Sequence, residues 1–253
     1  MSTLETSNDH TAIDLSIVCA TFNAAHCLEG MLDTYRRERS HRTELIVLDG
    51  VSTDRTWEIV TKHADIIDLA ISEPDDGLYD AWNRGIERCR GRYVSFIGAD
   101  DRLARGSIAA LLSVCHGADD HIIAGFNVLT RSGVPIQLLG GPYSAATLYR
   151  RMMIAHVMSA HDVPWLRSVG GFDRSFRSSG DYELLLRAGT ILRVRVINEV
   201  LALMEDGGTS RTTLRPYTEN YRARTNNGVP VLVAAALFLR AMIGIATKKV
   251  LRL

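Results

Sequence analysis

The chain has 253 residues, of which 46% are hydrophobic and 23% charged, and this composition excludes an intrinsically disordered or fibrous protein. Its 29 basic and 29 acidic residues balance, so the net charge gives no reason to expect a nucleic-acid partner. The length is sufficient for one large domain, or two small ones, with a substantial core.

The N-terminal sequence and the cysteines both indicate a protein of the reducing cytosol. The first residues, MSTLETSNDHT, are polar and lack the apolar segment of a signal peptide, so we expect residues 1–12 to be a disordered lead-in. The cysteines have no CxxC spacing and fall in apolar strand or helix patterns, which favours buried free thiols. They are Cys19, Cys27, Cys89 and Cys115.

Four apolar segments alternate with amphipathic helical patterns over the first hundred residues. The segments LSIVCAT, ELIVLD, DLAIS and RYVSFIG each have the length and composition of a buried strand. The helical patterns between them follow residues 28–35, 52–64 and 77–89, and Ser52 or Thr53 suits the cap of the second. This alternation predicts an α/β fold with a mostly parallel, Rossmann-like central sheet covered by helices on both faces.

Polar and acidic residues follow each of these strands. Ligands of such sheets bind at the carboxyl ends of the strands, so these residues are candidates for a site. No GxGxxG and no GxxxxGK[ST] follows a strand, which argues against a dinucleotide site and a P-loop. The strand ends carry Thr21 and Asn23, then Asp49, then Asp75, then Asp100 and Asp101.

The adjacent carboxylates of Asp100 and Asp101 repel each other at the edge of a core. A divalent cation with hard oxygen ligands, Mn²⁺ or Mg²⁺, would compensate both charges and hold a pyrophosphate. The alternative is a solvated turn that caps the next helix. The acidic residues at two other strand ends favour the metal.

The ordered segments LSIVCATFNAA, LDGVSTDRTWEIV, SEPDDGLYDAWNRGI and GRYVSFIGADD resemble the nucleotide-binding half of glycosyltransferase family 2. Downstream, IAHVMSAH, GGFDRSFRSSGDYELLLR and DGGTS resemble its acceptor half. The resemblance is nearest to enzymes of bacterial polysaccharide and glycolipid biosynthesis. It implies one GT-A domain at residues 13–224, with a nucleotide-sugar-binding half at 13–105 and an acceptor half at 106–224.

The resemblance also assigns the donor site residue by residue. The residues implied to bind the nucleotide sugar are Thr21, Asn23, Asp49, Asp75, Asp80, Asn83 and Asp100, and the implied metal ligand is Asp101. The alternative for Asp80 and Asn83 is that they face solvent on their helix. Where the family commonly has DxDD, Gly98 takes the first acidic position, so one carboxylate of the pattern is missing here.

In the acceptor half, Asp181 matches the catalytic base of the family, with Gly180 where the family often has a second acid. The alternative for Asp181 is the N-cap of the following helix. His156 matches a position near the donor phosphates or the acceptor, whereas His161 is expected to be a core histidine. The DGGTS segment is expected to form a loop over the site.

Taken together, the resemblance implies an inverting glycosyltransferase that moves a sugar from a nucleotide-diphosphate donor to a hydroxyl of a sugar or lipid-linked acceptor, in polysaccharide, glycolipid or cell-envelope biosynthesis. The alternative is a non-catalytic sugar-nucleotide-binding subunit, which the missing acids at Gly98 and Gly180 keep open. A sugar nucleotidyltransferase is disfavoured, because its glycine-rich, arginine-containing signature does not follow the first strand.

The tail at residues 225–253 is an apolar, basic helical pattern. A spanning helix needs roughly 20 mostly apolar residues, and Arg240 interrupts the run. We therefore expect an amphipathic helix on the cytoplasmic face of the inner membrane, with Arg240, Lys248, Lys249 and Arg252 near anionic lipid. The alternative is a helix that packs on the catalytic domain or on a second subunit.

Overall fold

The computed structural model describes residues 2–5, 12–206 and 213–250 of the chain. These residues form a ten-stranded sheet with helices on both faces, which confirms the predicted α/β class. The strands are β1 (Ser2–Glu5), β2 (Leu15–Thr21), β3 (Thr43–Asp49), β4 (Leu69–Ser72), β5 (Tyr93–Gly98), β6 (Arg102–Leu103), β7 (Ile122–Arg131), β8 (Val134–Leu139), β9 (Ala160–Asp162) and β10 (Val194–Glu205). The helices are α1 (Leu28–Glu38), α2 (Thr56–Lys62), α3 (Leu78–Arg88), α4 (Ser107–Cys115), α5 (Ala145–Leu148), α6 (Val163–Ser168), α7 (Gly180–Ala188), α8 (Arg215–Asn226) and α9 (Val231–Val250), with a 3₁₀ turn at Gly189–Ile191.

The strand order is β1-β4-β3-β2-β5-β9-β7-β10-β6, and β8 pairs with β7. Strands β2, β3, β4 and β5 are parallel, as the sequence predicted. The short strand β9 is antiparallel to both β5 and β7, so it joins the two halves of the chain into one sheet. At the other edge, β1 pairs with β4 in a stretch where the sequence predicted a disordered lead-in. This pairing covers backbone groups that β4 would otherwise expose.

The sheet has an apolar core on each face. Leu15, Ile17 and Cys19 of β2 point to the face covered by α1, α2 and α4, while Val18 points to the face covered by α3, α6 and α7. A strand buried on both sides must be apolar throughout, which explains the continuous hydrophobic run in the sequence. The four cysteines are free thiols, as predicted.

The C-terminal part of the described chain is a pair of helices. Helix α9 packs against α8, where the rings of Tyr221 and Phe238 lie 6.2 Å apart in an edge-to-face contact and Ala234 is buried. No helix in the described ranges is long and apolar enough to cross a membrane. Of the predicted loop over the site, Asp206 is described and residues 207–210 lie outside the described residues.

Candidate active site

A cavity of about 510 Å³ opens where the parallel strands β2 and β5 end. The register places Ala20 beside Gly98, so the chain segments after both strands reach the same edge. The opposite wall comes from the second half of the chain, at Leu129, Val157 and Glu205. The cavity therefore lies between the two halves. Of the predicted residues, Thr21, Asn23, Asp100 and Asp101 line it.

Asp49 lies beside this cavity and organises the loops around it. Its carboxylate accepts hydrogen bonds from the hydroxyls of Thr21 at 3.2 Å, Ser52 at 2.5 Å and Ser72 at 2.6 Å. The Ser52 hydroxyl also accepts the backbone N–H of Asn23 at 2.8 Å. Because this carboxylate is only 2% exposed and three strand ends converge on it, Asp49 fixes the positions of the side chains predicted to contact a nucleotide.

Because of this network, helix α2 begins later than the sequence predicted. Ser52 is engaged by Asp49, and Thr53 donates its backbone N–H to the Asn23 side chain at 2.9 Å, so neither caps the helix as predicted. The helix begins at Thr56, whose backbone N–H bonds to the Asp54 carboxylate at 3.0 Å. The serine and threonine that looked like a cap belong to the site.

Asp75 lies at the edge of the same region, next to Gly50 and Phe22. A Cβ atom on Gly50 would lie 2.8 Å from an Asp75 carboxylate oxygen and 3.5 Å from the Phe22 ring. Phe22 also lines the cavity and is 65% exposed, which is unusual for a large apolar ring. An exposed ring beside a carboxylate can stack on a planar base while the carboxylate accepts its hydrogen bonds. Sequence reasoning missed Phe22, although an aromatic residue directly after a strand was a usable signal.

Asp100 and Asp101 lie together at the end of β5. Asp101 is 6% exposed and accepts the backbone N–H of Gly98 at 3.0 Å, whereas Asp100 is exposed. Burial, and secondly the charge of Asp100, raise the pKa of Asp101 to about 7. No Lys or Arg side chain in the described ranges forms a salt bridge with either carboxylate. The pair therefore has no direct ion-pair partner among the described residues, and the charge of Arg102 only partly offsets the rise in the pKa of Asp101.

The donor set of this pair fits a divalent cation. Two carboxylates supply hard oxygen ligands of the kind that Mg²⁺ and Mn²⁺ prefer. Within the described part of the chain, no group of three or more His, Cys, Asp or Glu side chains could hold a metal. The two carboxylates of Asp100 and Asp101 alone suit Mg²⁺, because proteins often hold this ion by one or two carboxylates while substrate phosphates and water complete its coordination.

The carboxylates of Asp100 and Asp101 occupy the space beside Gly98. A Cβ atom at this position would lie 2.7 Å from an Asp100 oxygen and 2.9 Å from an Asp101 oxygen. A larger residue would displace these two flexible side chains from the positions that they have here.

Asp181 lies in the first turn of α7, in the second half of the chain. Helix α7 begins at Gly180 and its N-cap position is Ser179, so Asp181 is not the cap. Its carboxylate accepts the backbone N–H of Tyr182 at 2.8 Å and the hydroxyl of Tyr79 at 3.4 Å. The ring of Tyr79 occupies the space beside Gly180, since a Cβ there would lie 2.8 Å from that ring. The tyrosine hydroxyl therefore supports Asp181 from the space where the family pattern has a second acid.

The segment that leads into α7 is held by one buried carboxylate from α8. Glu219 is 8% exposed and accepts the backbone N–H groups of Arg177 at 3.0 Å, Ser178 at 2.8 Å and Ser179 at 2.9 Å. Three charge-assisted bonds to consecutive residues leave this turn little freedom. Glu219 thereby fixes the position of Asp181, although no sequence motif marked it.

We predict that Glu219→Gln lowers the free energy of unfolding by about 2–3 kcal/mol, because the neutral amide replaces a charged acceptor of three buried donors. Urea unfolding of the variant measures this loss. The matched control is Glu58→Gln on the exposed side of α2, which is expected to change stability by less than about 0.5 kcal/mol. A loss no larger than that of the control would contradict the role assigned to Glu219.

The structure places Asp80 and Asn83 on the side of α3 that faces Phe172 and Arg174, not in the cavity at the strand ends. Asp80 is 1% exposed and pairs with Arg84 at 2.8 Å and Arg174 at 3.1 Å. The Asn83 side chain donates to the carbonyl of Phe172 and accepts its N–H, both at 2.8 Å. Both residues therefore tie α3 to the segment before Asp181, and neither simply faces solvent.

His156 and His161 form a buried pair under the cavity wall, with ring centroids 4.9 Å apart. His156 stacks on Trp82, which lines the cavity, at 5.2 Å. Neither ring nitrogen of His161 has a hydrogen-bond partner in the described part of the chain, nor has Nε2 of His156. Burial lowers the pKa of His156, and burial together with His156 lowers the pKa of His161 well below its usual value. His161 is a core histidine, as predicted.

We predict that the contribution of His161 to stability falls as the pH drops below about 6.5, where a histidine of the unfolded chain takes up a proton and His161 in the folded protein does not. The unfolded state then binds more protons, so the free energy of unfolding falls by up to about 1.4 kcal/mol per pH unit for this histidine. Urea unfolding at several pH values should show a shallower loss for His161→Phe, and an unchanged loss for the exposed control His41→Gln. Equal slopes for wild type and His161→Phe would contradict this.

Comparisons with known proteins agree with this architecture. The sequence model of the family described as Glycosyl transferase family 2 matches residues 16–153, more than half of the chain. A PGL/p-HBAD biosynthesis glycosyltransferase of Mycobacterium bovis (strain BCG / Pasteur 1173P2) is 24% identical over 247 residues, covering 90% of this chain and 95% of that relative.

Two solved structures have the same fold. S. aureus TarS 1–349 in complex with UDP-GlcNAc superposes with a TM-score of 0.67 at 13% identity, covering 89% of this chain and 70% of that one. The mannosyltransferase PcManGT from Pyrobaculum calidifontis, in complex with GDP-Man and Mn²⁺, gives a TM-score of 0.67 at 17% identity, covering 90% and 70%.

Proposed function

This chain belongs to glycosyl transferase family 2 and is a glycosyltransferase with the GT-A fold, and from this premise we propose that it moves a sugar from a nucleotide-diphosphate donor to an acceptor hydroxyl with inversion at the anomeric carbon. The observation that carries the proposal is the cavity at the strand ends, with the Asp100–Asp101 pair in its wall and Asp181 on the acceptor half. The relatives support a role in polysaccharide, glycolipid or cell-envelope biosynthesis.

In this proposal the donor nucleotide binds at the ends of β2, β3 and β4. Thr21 and Asn23 contact it in the position that Asp49 fixes, and Asp75 accepts hydrogen bonds from the base or ribose. Asp100 lies toward the ribose. Asp80 and Asn83 contribute indirectly, by holding α3 against the acceptor half.

Asp101, with Asp100 beside it, is the proposed ligand of Mn²⁺ or Mg²⁺. When bound, the ion supplies positive charge that offsets the negative charge developing on the leaving diphosphate. The raised pKa of Asp101, to which burial and the neighbouring charge of Asp100 contribute, supports the assignment. The PcManGT structure, which contains Mn²⁺, is a further reason to test this ion first.

Asp181 is the proposed general base. Its carboxylate takes the proton of the acceptor hydroxyl while that oxygen forms a bond to the anomeric carbon and the bond from this carbon to the diphosphate oxygen breaks. Tyr79 orients the carboxylate through its hydroxyl. We place His156 near the donor phosphates or the acceptor. Since this residue is only 8% exposed and stacks on Trp82, its role in this proposal is to hold the Trp82 ring in the cavity wall.

We also propose that the acceptor is a sugar or a lipid-linked sugar. In addition, we propose that α9 contacts the cytoplasmic face of the inner membrane peripherally. One face of α9 packs on α8, and several apolar side chains on its other face are exposed, which supports this contact. The competing possibility for that outer face is a protein partner.

Calorimetry with UDP, GDP, dTDP and CMP, each with and without Mn²⁺ or Mg²⁺, tests the donor site. Metal-dependent binding of one diphosphate, together with slow hydrolysis of the corresponding nucleotide sugar, is the expected result. Binding without turnover, in the presence of a range of sugar acceptors, would favour the alternative of a non-catalytic sugar-nucleotide-binding subunit. Absence of binding by folded protein would overturn the proposal.

A further inference from the structure

A second cavity, of about 640 Å³, lies between the segment after α5 and the helices α8 and α9. It shares no lining residue with the candidate active site. Its charged lining residues are all basic, and no Asp or Glu lines it: they are Arg150, Arg151, Arg224 and Arg240. None of these arginines forms a salt bridge with another residue in the described ranges. In a chain with equal numbers of acidic and basic residues, this local excess of positive charge indicates an anionic ligand.

The cavity is held by buried hydrogen bonds. Arg224, 6% exposed, donates to the backbone carbonyl of Tyr149 at 2.6 Å and to that of Arg150 at 3.2 Å. The Tyr182 hydroxyl donates to the carbonyl of Leu148 at 2.8 Å. These bonds fix the turn that presents the exposed side chains of Arg150 and Arg151 at the mouth. Because Tyr182 directly follows Asp181 in α7, its hydrogen bond ties the turn beside the cavity to the helix that carries the proposed base.

Apolar side chains also contribute to the cavity. Met152, Met153, Leu237 and Phe238 are among its lining residues, together with the polar Thr147, Tyr217 and Asn220. On the outer side of α9, Leu232, Leu239 and Ile243 are 84%, 60% and 64% exposed, and their spacing of seven and four residues places them on one face. An exposed apolar face next to clustered basic groups is the arrangement of a helix that lies in the surface of an anionic membrane.

We propose that this arginine-lined cavity binds the phosphate headgroup of an anionic lipid while the outer face of α9 contacts the acyl region of the same leaflet. Arginine is suited to this role because its planar guanidinium binds two phosphate oxygens at once. The inference rests on the proposed membrane contact of α9 and adds to it a defined headgroup site on the acceptor side of the molecule.

Co-sedimentation with vesicles tests the site, using phosphatidylcholine alone and phosphatidylcholine mixed with phosphatidylglycerol. We expect binding to the anionic vesicles and a loss of at least about tenfold in affinity for Arg151→Glu combined with Arg240→Glu, since each reversal replaces an attractive charge with a repulsive one. Both side chains are exposed, so the variant should fold. The control is Arg55→Glu combined with Arg105→Glu, which changes the net charge equally at two other exposed sites and should retain most of the binding.

Any of four outcomes would overturn the proposal. Equal losses of vesicle affinity in both double variants would show that only the net charge matters. Unchanged vesicle binding of the Arg151/Arg240 variant would show that these arginines do not form a headgroup site. Calorimetric binding of inorganic phosphate that depends on these arginines, without vesicle binding, would assign the cavity to a free anion. If wild-type protein binds no vesicle at all, the membrane contact of α9 fails as well, while donor hydrolysis, measured separately, still decides the transferase proposal.

Discussion

Asp181→Asn is expected to lower the rate of sugar transfer by about 10²- to 10⁴-fold and to leave the affinity for the donor nucleotide unchanged. The asparagine amide matches the aspartate in size and can still accept the N–H of Tyr182, which lies 2.8 Å from the carboxylate. It cannot take a proton from the acceptor hydroxyl. Initial rates at saturating donor, together with calorimetry of the nucleoside diphosphate, separate the two effects.

Two further variants sharpen this test. Tyr79→Phe removes the hydroxyl that donates to Asp181 over a long 3.4 Å bond, so we expect a smaller loss of rate than in Asp181→Asn. Asp119→Asn, at an exposed position before β7, is the matched control and should retain the wild-type rate. A fully active Asp181→Asn protein would remove this residue as the base. Loss of donor binding in the same variant would assign it a structural role.

The first half of the fold could be predicted closely because its strands are buried on both faces. Such strands leave continuous apolar runs that end abruptly, and β2 spans the predicted Leu15–Thr21. β3, β4 and β5 each begin within one residue of their predicted starts. The start of α2 was predicted too early, because the hydroxyl of Ser52 serves Asp49 instead of the helix. A local cap pattern cannot reveal a competing acceptor on a neighbouring strand.

The second half of the sheet could not be assigned from the sequence. Its linking strand, β9, has only three residues, Ala160–Asp162, which is too short to show a periodicity. Its partners β5 and β7 lie far from it along the chain. The long strand β10 pairs with β7 through register shifts between Val196 and Ala202, and these shifts interrupt its alternation.

In the site, too, local sequence patterns predicted some features, whereas contacts between residues far apart in the chain could not be predicted. The carboxylates at the strand ends could be predicted to share one edge, because parallel strands bring their carboxyl ends together. The direction in which the α3 side chains point could not be predicted, since Asp80 and Asn83 bond to Arg174 and Phe172, about ninety residues further along the chain. Glu219, which holds the segment before Asp181, is also distant in sequence, since it lies 40 residues from Ser179.

Asp101→Asn is expected to weaken metal-dependent binding of the donor diphosphate by at least about 100-fold, more than the 10- to 100-fold typical for residues that only support a metal ligand. The substitution removes one of two carboxylates at the end of β5, and the exposed Asp100 remains as the other. Calorimetry with Mn²⁺ and the diphosphate measures the loss. In the absence of metal, the variant should bind the donor no more weakly than wild type, because the substitution removes a negative charge that repels the diphosphate.

The same substitution should stabilise the metal-free protein, and this gain distinguishes a functional carboxylate from a structural one. Burial raises the pKa of Asp101 from 3.8 to about 7, so the folded state holds this proton more tightly than the unfolded state between those pH values. The contribution of Asp101 to the free energy of unfolding therefore falls as the pH rises from 3.8 to about 7 and stays low above that pH. At pH 8 with EDTA, Asp101→Asn should melt at a higher temperature than wild type, and this difference should shrink as the pH falls and nearly vanish only below 3.8. A variant that melts lower at pH 8 would show that Asp101 stabilises the fold, and the paired carboxylates would then need no metal to explain them.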